Sequence, residues 1–138
     1  MENSDYILRG LVHSLQFRFV LAETAHTVMT GIMTHDTDPV SSLLFGQALT
    51  AGVLCSPLLT GTERYTLRWE YGGALKRIIV DVDAEGRVRG LIASPHLMDS
   101  VNRETDIYGE EEGRIGVVKS DSGKILNSGL SKAGLLDV

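Results

Sequence analysis

The stretch RWEYGGALKRIIVDVDAEGRVRG, Arg68–Gly90, packs two apolar alternations and two turn signals into one short span. Ile78, Val80 and Val82 fall two residues apart, so they share one face of a strand. Val88 and Ile92 match that face after a turn. If Asp83 faces Arg87, the loop is Ala84-Glu85-Gly86, and Gly86 supplies the positive φ that three-residue hairpins need. The same register sets Asp81 opposite Arg89. Exposed ion pairs of this kind are worth about a few tenths of a kcal/mol, so they select register more than they stabilise. Upstream, in ERYTLRWEY, Tyr65, Leu67, Trp69 and Tyr71 alternate with Arg64, Thr66, Arg68 and Glu70, and Gly72-Gly73 turns the chain. The whole reads as a meander in an antiparallel sheet.

The segment before it has the opposite character. From Val40 to Thr62, VSSLLFGQALTAGVLCSPLLTGT carries no charged residue, although about 20 apolar residues already suffice to cross a bilayer. Ser41, Ser42, Gln47, Thr50, Ser56 and Pro57 make the run only moderately hydrophobic. It suits the buried centre of a globular fold better than a membrane span. Asp38-Pro39 is a helix start, a carboxylate to cap free N–H groups and then a residue with no donor to lose. The central helix is expected to run from Pro39 towards Leu58, with Gly46, Ala48, Ala51 and Gly52 admitting close neighbours.

Further upstream, QFRFVLAE (16–23) sets Phe17, Phe19 and Leu21 against Arg18, Val20 and Ala22, which predicts a strand. Ala25, Val28, Met29, Ile32 and Met33 then fall at helical spacing, and THDTDP (34–39) ends that short helix. The first residues read as a polar start. Beyond Ser94 the chain predicts an acidic loop with at most a short turn of helix. GRIGVVKS (113–120) is one more strand, Asp121–Gly123 a turn, and Lys124–Leu126 a weak return. The tail LSKAGLLDV has no settled period. With no repeats and no linker, residues 1–138 are expected to form one α+β domain: a largely antiparallel sheet packed with a short helix and a long buried central helix.

Composition bounds the function. A net charge of −5 argues against nucleic acid or an anionic membrane as partner, since both select basic surfaces. The single cysteine, Cys55, excludes an intrachain disulfide and a thiolate-cluster zinc site within these residues. MENSDYILRG lacks the pattern of a secretory signal, so a cytoplasmic protein is expected. Cys55 sits in the apolar helix and reads as inert packing. His35, Asp36 and Asp38 resemble a metal cluster by composition, but Asp38 already has a capping role and neighbours project in different directions. His13 and His26 read as structural, and His96 has no evident partner. Glu110-Glu111-Glu112 lacks the alternating ligands and internal glycine of a calcium loop. No glycine-rich phosphate loop and no G-x-S-x-G elbow is present. No catalytic residue, cofactor or metal site is therefore expected.

Taken together, FGQALTA (45–51), TGTERYTL (60–67), YGGAL (71–75) and the segment Val80–Pro95, VDVDAEGRVRGLIASP, resemble the N-terminal domain of heat shock protein 33, a redox-regulated bacterial chaperone family. The resemblance covers roughly Asp5 to Lys119. Where the family's turn has aspartate and proline, this chain has glycine (Gly72 or Gly73) and Ala74. The family also carries a C-terminal module of four zinc-binding cysteines, which has no counterpart here. The resemblance thus implies a client-binding core without the switch, either an excised domain or a shortened relative. It further implies a homodimer and an ATP-independent holdase for unfolded or misfolded proteins. Phe17, Phe19, Tyr65, Trp69 and Leu91 are the candidates for the client or dimer surface, with ordinary core packing the competing role for each. A partner-specific assembly module is the alternative. A small enzyme would need a pocket joining His96 or His35 to acidic residues.

Overall fold

A computed structural model of the chain describes residues 4–133; the ends of the expected domain, including the last residues of the tail, lie outside them. The meander is present with the anticipated register. Strands β1 (Tyr6–Val12) and β2 (Phe17–Glu23) form a separate two-stranded hairpin. Strands β3 (Glu63–Glu70), β4 (Arg77–Asp83), β5 (Val88–Ile92), β6 (Gly113–Asp121) and β7 (Lys124–Ala133) form an antiparallel sheet in the order β5-β4-β3-β6-β7. Ile78 pairs with Ile92, Val82 with Val88 and Asp81 with Arg89. The Asp83 N–H donates to the Arg87 carbonyl at 3.1 Å, and Gly86 has φ +83°. Asp81 accepts from Arg64 at 2.8 Å as well as from Arg89 at 3.0 Å, so it joins three strands.

Helix α1 (Ala25–His35) and the central helix α2 (Pro39–Cys55) cover the apolar face of this sheet, and α2 continues as a 3₁₀ turn over Ser56–Leu58. The core joins Leu44, Phe45, Ala48 and Leu49 of α2 to Leu67, Trp69, Ile78, Val80 and Ile92 of the sheet. Small residues set the spacing. A Cβ on Gly52 would lie 2.5 Å from Val80 Cγ1, and one on Gly46 would lie 2.9 Å from Val28 Cγ1 of α1. The helical stretch Pro39–Leu58 is long and apolar enough to cross a membrane, but half of that window is buried within the fold. Its buried serines explain the moderate hydrophobicity. Ser41 Oγ donates to the Ser94 carbonyl at 2.9 Å and accepts from Leu97 N–H at 3.2 Å. Ser56 Oγ donates to the Asp83 carbonyl at 2.8 Å. Each tethers one end of the helix to a loop of the sheet, and each buried hydroxyl is thereby satisfied.

Asp38 caps α2 as the sequence implies. Its Oδ1 accepts from Ser41 N–H at 2.8 Å, and its Oδ2 accepts from Met98 N–H at 2.6 Å. Burial pushes the carboxyl upward, but the hydrogen bonds from Ser41 and Met98 outweigh it and hold Asp38 below the ordinary carboxylate range. A folded pKa below the unfolded one means stability present above the unfolded value and lost as pH falls through the folded one. Asp38→Ala is therefore expected to cost about 1–2 kcal/mol at neutral pH. The gap in Tm from the parent, read by circular dichroism, should narrow as pH falls below about 4.

Three expectations need correction. The polar start is strand β1, which escaped notice because YILRGLV carries apolar residues on both faces and a glycine in the middle. The weak return at Lys124–Leu126 is the ten-residue strand β7, exposed on both sides along most of its length and so without an apolar alternation to reveal it. The apolar stripe of α1 is only partly used: Val28 and Ile32 are half-buried, whereas Ala25 and Met29 are exposed and Met33 is 75% exposed. The acidic loop does hold a short helix, α3 (Glu104–Tyr108). It docks on the β3–β4 connection through Ala74 N–H to the Asp106 carbonyl (2.8 Å) and Leu75 N–H to the Ile107 carbonyl (3.0 Å).

Candidate functional site

The hairpin is built inside out. Antiparallel pairing sets Leu8 opposite Leu21, Gly10 opposite Phe19 and Val12 opposite Phe17, so these side chains share one face with Tyr6. On that face Tyr6, Leu8, Phe17, Phe19 and Leu21 are all exposed. Phe19 lies across Gly10, in space that a Cβ there would occupy, and so covers the gap left by the glycine. The smaller apolar residues of the other face, Ile7, Val20 and Ala22, are half-buried. Ile7 meets Gly86, where an added Cβ would approach its Cδ1 to 2.8 Å. Asp5 fixes the hairpin to α1, accepting from His26 N–H at 2.9 Å and Thr27 N–H at 2.6 Å. Burial raises the Asp5 carboxyl, yet its hydrogen bonds to Thr27 and His26 bring it below the usual range.

A second apolar surface lies along the two helices. An open groove of about 630 Å³ is lined by Val28, Ile32, Leu43, Ala51 and Leu54, among others. Leu43 and Leu54 are exposed along it. Patches of this kind on a folded chain mark interaction surfaces.

The five candidate residues separate in the structure. Phe17 and Phe19 stand together on the hairpin face. Leu91 is exposed on the edge strand β5 opposite Ile79. Tyr65 is half-buried, with Lys119 Nζ 5.9 Å from its ring centre. Trp69 is 4% exposed within the core, so its alternation reports packing and it leaves the surface set. Tyr6 and Leu8 were missed with their strand; the complementary pattern of Phe17, Phe19 and Leu21 was the available signal.

The polar candidates do not assemble into a catalytic set. Burial pushes the Cys55 thiol up, away from the reactive thiolate. Both Asp38 oxygens are engaged by backbone N–H groups, and His35 packs edge-on against Phe45 with ring centres 5.0 Å apart. His96 does have a neighbour, with Nε2 4.0 Å from Asp36 Oδ2. Among the described residues, no three His, Cys, Asp or Glu side chains converge as a metal-ligand group.

Known proteins share this fold. The Hsp33 protein family model matches residues 5–130. The chain belongs to the Hsp33 family. It is 34% identical over 117 residues to the 33 kDa chaperonin of Geobacillus sp. (strain WCH70), covering 85% of this chain and 37% of that one. The 33 kDa chaperonin of Citrifermentans bemidjiense is 30% identical over 135 residues, or 98% of this chain and 40% of that one. A crystal structure of the Hsp33 homologue from Thermotoga maritima has the same fold, with a TM-score of 0.77 at 24% identity, over 94% of this chain and 45% of that one. The chain thus spans about two fifths of the length of these curated relatives. The α+β architecture expected from the sequence is the family's.

Proposed function

We propose that this chain acts as an ATP-independent holdase, binding partly unfolded proteins on its exposed apolar surface. The observation that carries the reading is the hairpin face of Tyr6, Leu8, Phe17, Phe19 and Leu21. An unfolding polypeptide presents apolar segments of no fixed sequence, and burial at about 25 cal/mol per Å² is suitably non-directional. The net charge of −5 favours a soluble complex. Binding of this kind requires no catalytic group, nucleotide or metal. Cys55 is the single cysteine of these 138 residues and is half-buried, so within them holding is independent of thiol oxidation. A second copy of the chain competes for the same apolar surface, and a homodimer is part of the proposal.

Light scattering of a thermally unfolding client, with and without the purified chain, tests the reading. Suppression of equal size in reducing and oxidising buffer is expected. A folded sample that leaves scattering unchanged in both would refute the holdase and favour a module with one specific partner.

A further inference from the structure

The outer face of the five-stranded sheet, turned away from α1 and α2, has a charge opposite to that of the chain. Register places six cations there, drawn from all five strands: Arg89, Arg77, Arg64, Arg68, Arg114 and Lys132. Two carboxylates, Asp81 and Glu70, stand among them, and Asp83 at the turn beyond is matched by Arg87 at 2.7 Å. Asp81 is shared by Arg64 and Arg89 at 2.8 and 2.9 Å, Glu70 takes Arg68 at 2.7 Å, and Glu112 at the rim takes Lys132 at 3.0 Å. Even with Glu112 counted, three positive charges are left over on a chain whose net charge is −5. Arg77 and Arg114, the two neighbours of Glu70 in register, make no ion pair among the described residues. They line an open cavity of about 910 Å³ with three further lysine and arginine side chains and three glutamates. The face is also partly apolar. Leu91, Ile79, Arg68, Gly116 and Leu130 form one cross-strand row, with Leu91 50% and Leu130 71% exposed.

We propose that this face docks an acidic polypeptide segment, its carboxylates interspersed with apolar side chains, supplied by a partner protein distinct from the unfolding client. The cations span five strands, roughly 19 Å at ordinary strand spacing, which is wider than a single small anion. Five of the six are arginines, whose planar forks match carboxylates in two-point contacts. The exposed leucines give the same segment apolar contacts, which inorganic polyphosphate would leave bare. The face carries no aromatic side chain, so single-stranded nucleic acid finds no platform on which to stack its bases. A second copy in a two-fold contact would set one basic face against another, which like-charge repulsion opposes. Exposed ion pairs contribute little singly, so the surplus charge over the whole face carries the attraction. Client holding on the hairpin uses none of these residues, and the inference goes beyond that reading.

The test follows the fluorescence anisotropy of a labelled peptide of glutamate, leucine and serine as the chain is titrated in. Saturable binding that weakens with added salt is expected, with the glutamine counterpart of the peptide bound about tenfold or more weakly. Arg77→Gln/Arg114→Gln breaks no ion pair, so the fold should be retained while affinity falls about tenfold or more, the scale of one charge-assisted hydrogen bond. Leu91→Ser/Leu130→Ser should cost about threefold and leave the salt dependence unchanged. Leu8→Ser/Phe17→Ser/Leu21→Ser should bind the peptide like the parent, so failure of client scattering and failure of this face are read separately. No saturable binding, equal binding of the glutamine peptide, or parental affinity in the arginine variant would overturn the proposal. Displacement of the peptide by inorganic polyphosphate or oligouridylate, with the leucine variant at parental affinity, would overturn it in favour of a general anion site. A concentration-dependent dimer in sedimentation, dissolved by the arginine variant, would overturn it in favour of a second copy.

Discussion

Gly52→Val is expected to lose about 3 kcal/mol or more, a large part of the 5–15 kcal/mol that stabilises a typical domain. Gly52 is buried in α2, where a Cβ would lie 2.5 Å from Val80 Cγ1 and 3.4 Å from Val88 Cγ2. Val80 is fully buried in the sheet and has no free space to turn into. Valine adds further methyl groups beyond that Cβ, so the helix must lift from β4. Gly52→Ala should be milder, since alanine gains about 1 kcal/mol of helix propensity against the overlap. Gly129→Ala on β7 meets nothing within 4 Å and is the control. Urea denaturation should rank the three with valine far the worst. A valine variant as stable as its parent would show that α2 does not rest directly on Val80.

The second large effect concerns binding. Leu8→Ser/Phe17→Ser/Leu21→Ser removes three exposed side chains from the hairpin face. Folding should be nearly unaffected, because the Leu8–Leu21 cross-strand pair contributes about 0.2–1 kcal/mol and the half-buried face of Ile7, Val20 and Ala22 is unchanged. Each large side chain buried against a client is worth about 1.5–3 kcal/mol when burial is complete. Even partial burial of three implies a loss of affinity of about tenfold or more. Scattering suppression should then need a correspondingly larger amount of the variant. Full suppression at the parent's concentration would move the binding surface off the hairpin, with the α1–α2 groove and its exposed Leu43 as the next candidate.

The parts of the fold legible in the sequence are those in which one face is buried and the other wet. Ile78, Val80 and Val82 alternate with charged or half-buried residues, and Asp83, Gly86 and Arg87 fix the loop, so the β4–β5 register followed directly. Asp38-Pro39 marked the start of α2 because a cap is a local chemical requirement. Strands β1 and β7 were hidden for a shared reason. Neither is sorted by burial into a polar and an apolar side, since β1 has apolar residues facing both ways and β7 is exposed almost throughout. The same condition limits the site. Phe17 and Phe19 signalled a surface, but alternation in β3 made Trp69 look equivalent, although that strand turns its apolar side to α2. Periodicity tells which residues share a face, and only the partner element tells whether the face is covered. The basic face of the sheet was illegible because its cations, from Arg64 to Lys132, come from five strands that only the pairing register sets side by side.

The most direct test of the account is photo-crosslinking from the hairpin face itself. Benzoylphenylalanine at position 8 is compared with the same group at position 77, where Arg77 is exposed at the end of β4 opposite the turn that meets the hairpin. Each protein is irradiated with a client held at its unfolding temperature. Crosslinks to the client from position 8, absent from position 77 and absent with the folded client, are the expected result. Equal capture at both positions, or none at position 8 while scattering is suppressed, would contradict the hairpin face as the binding surface.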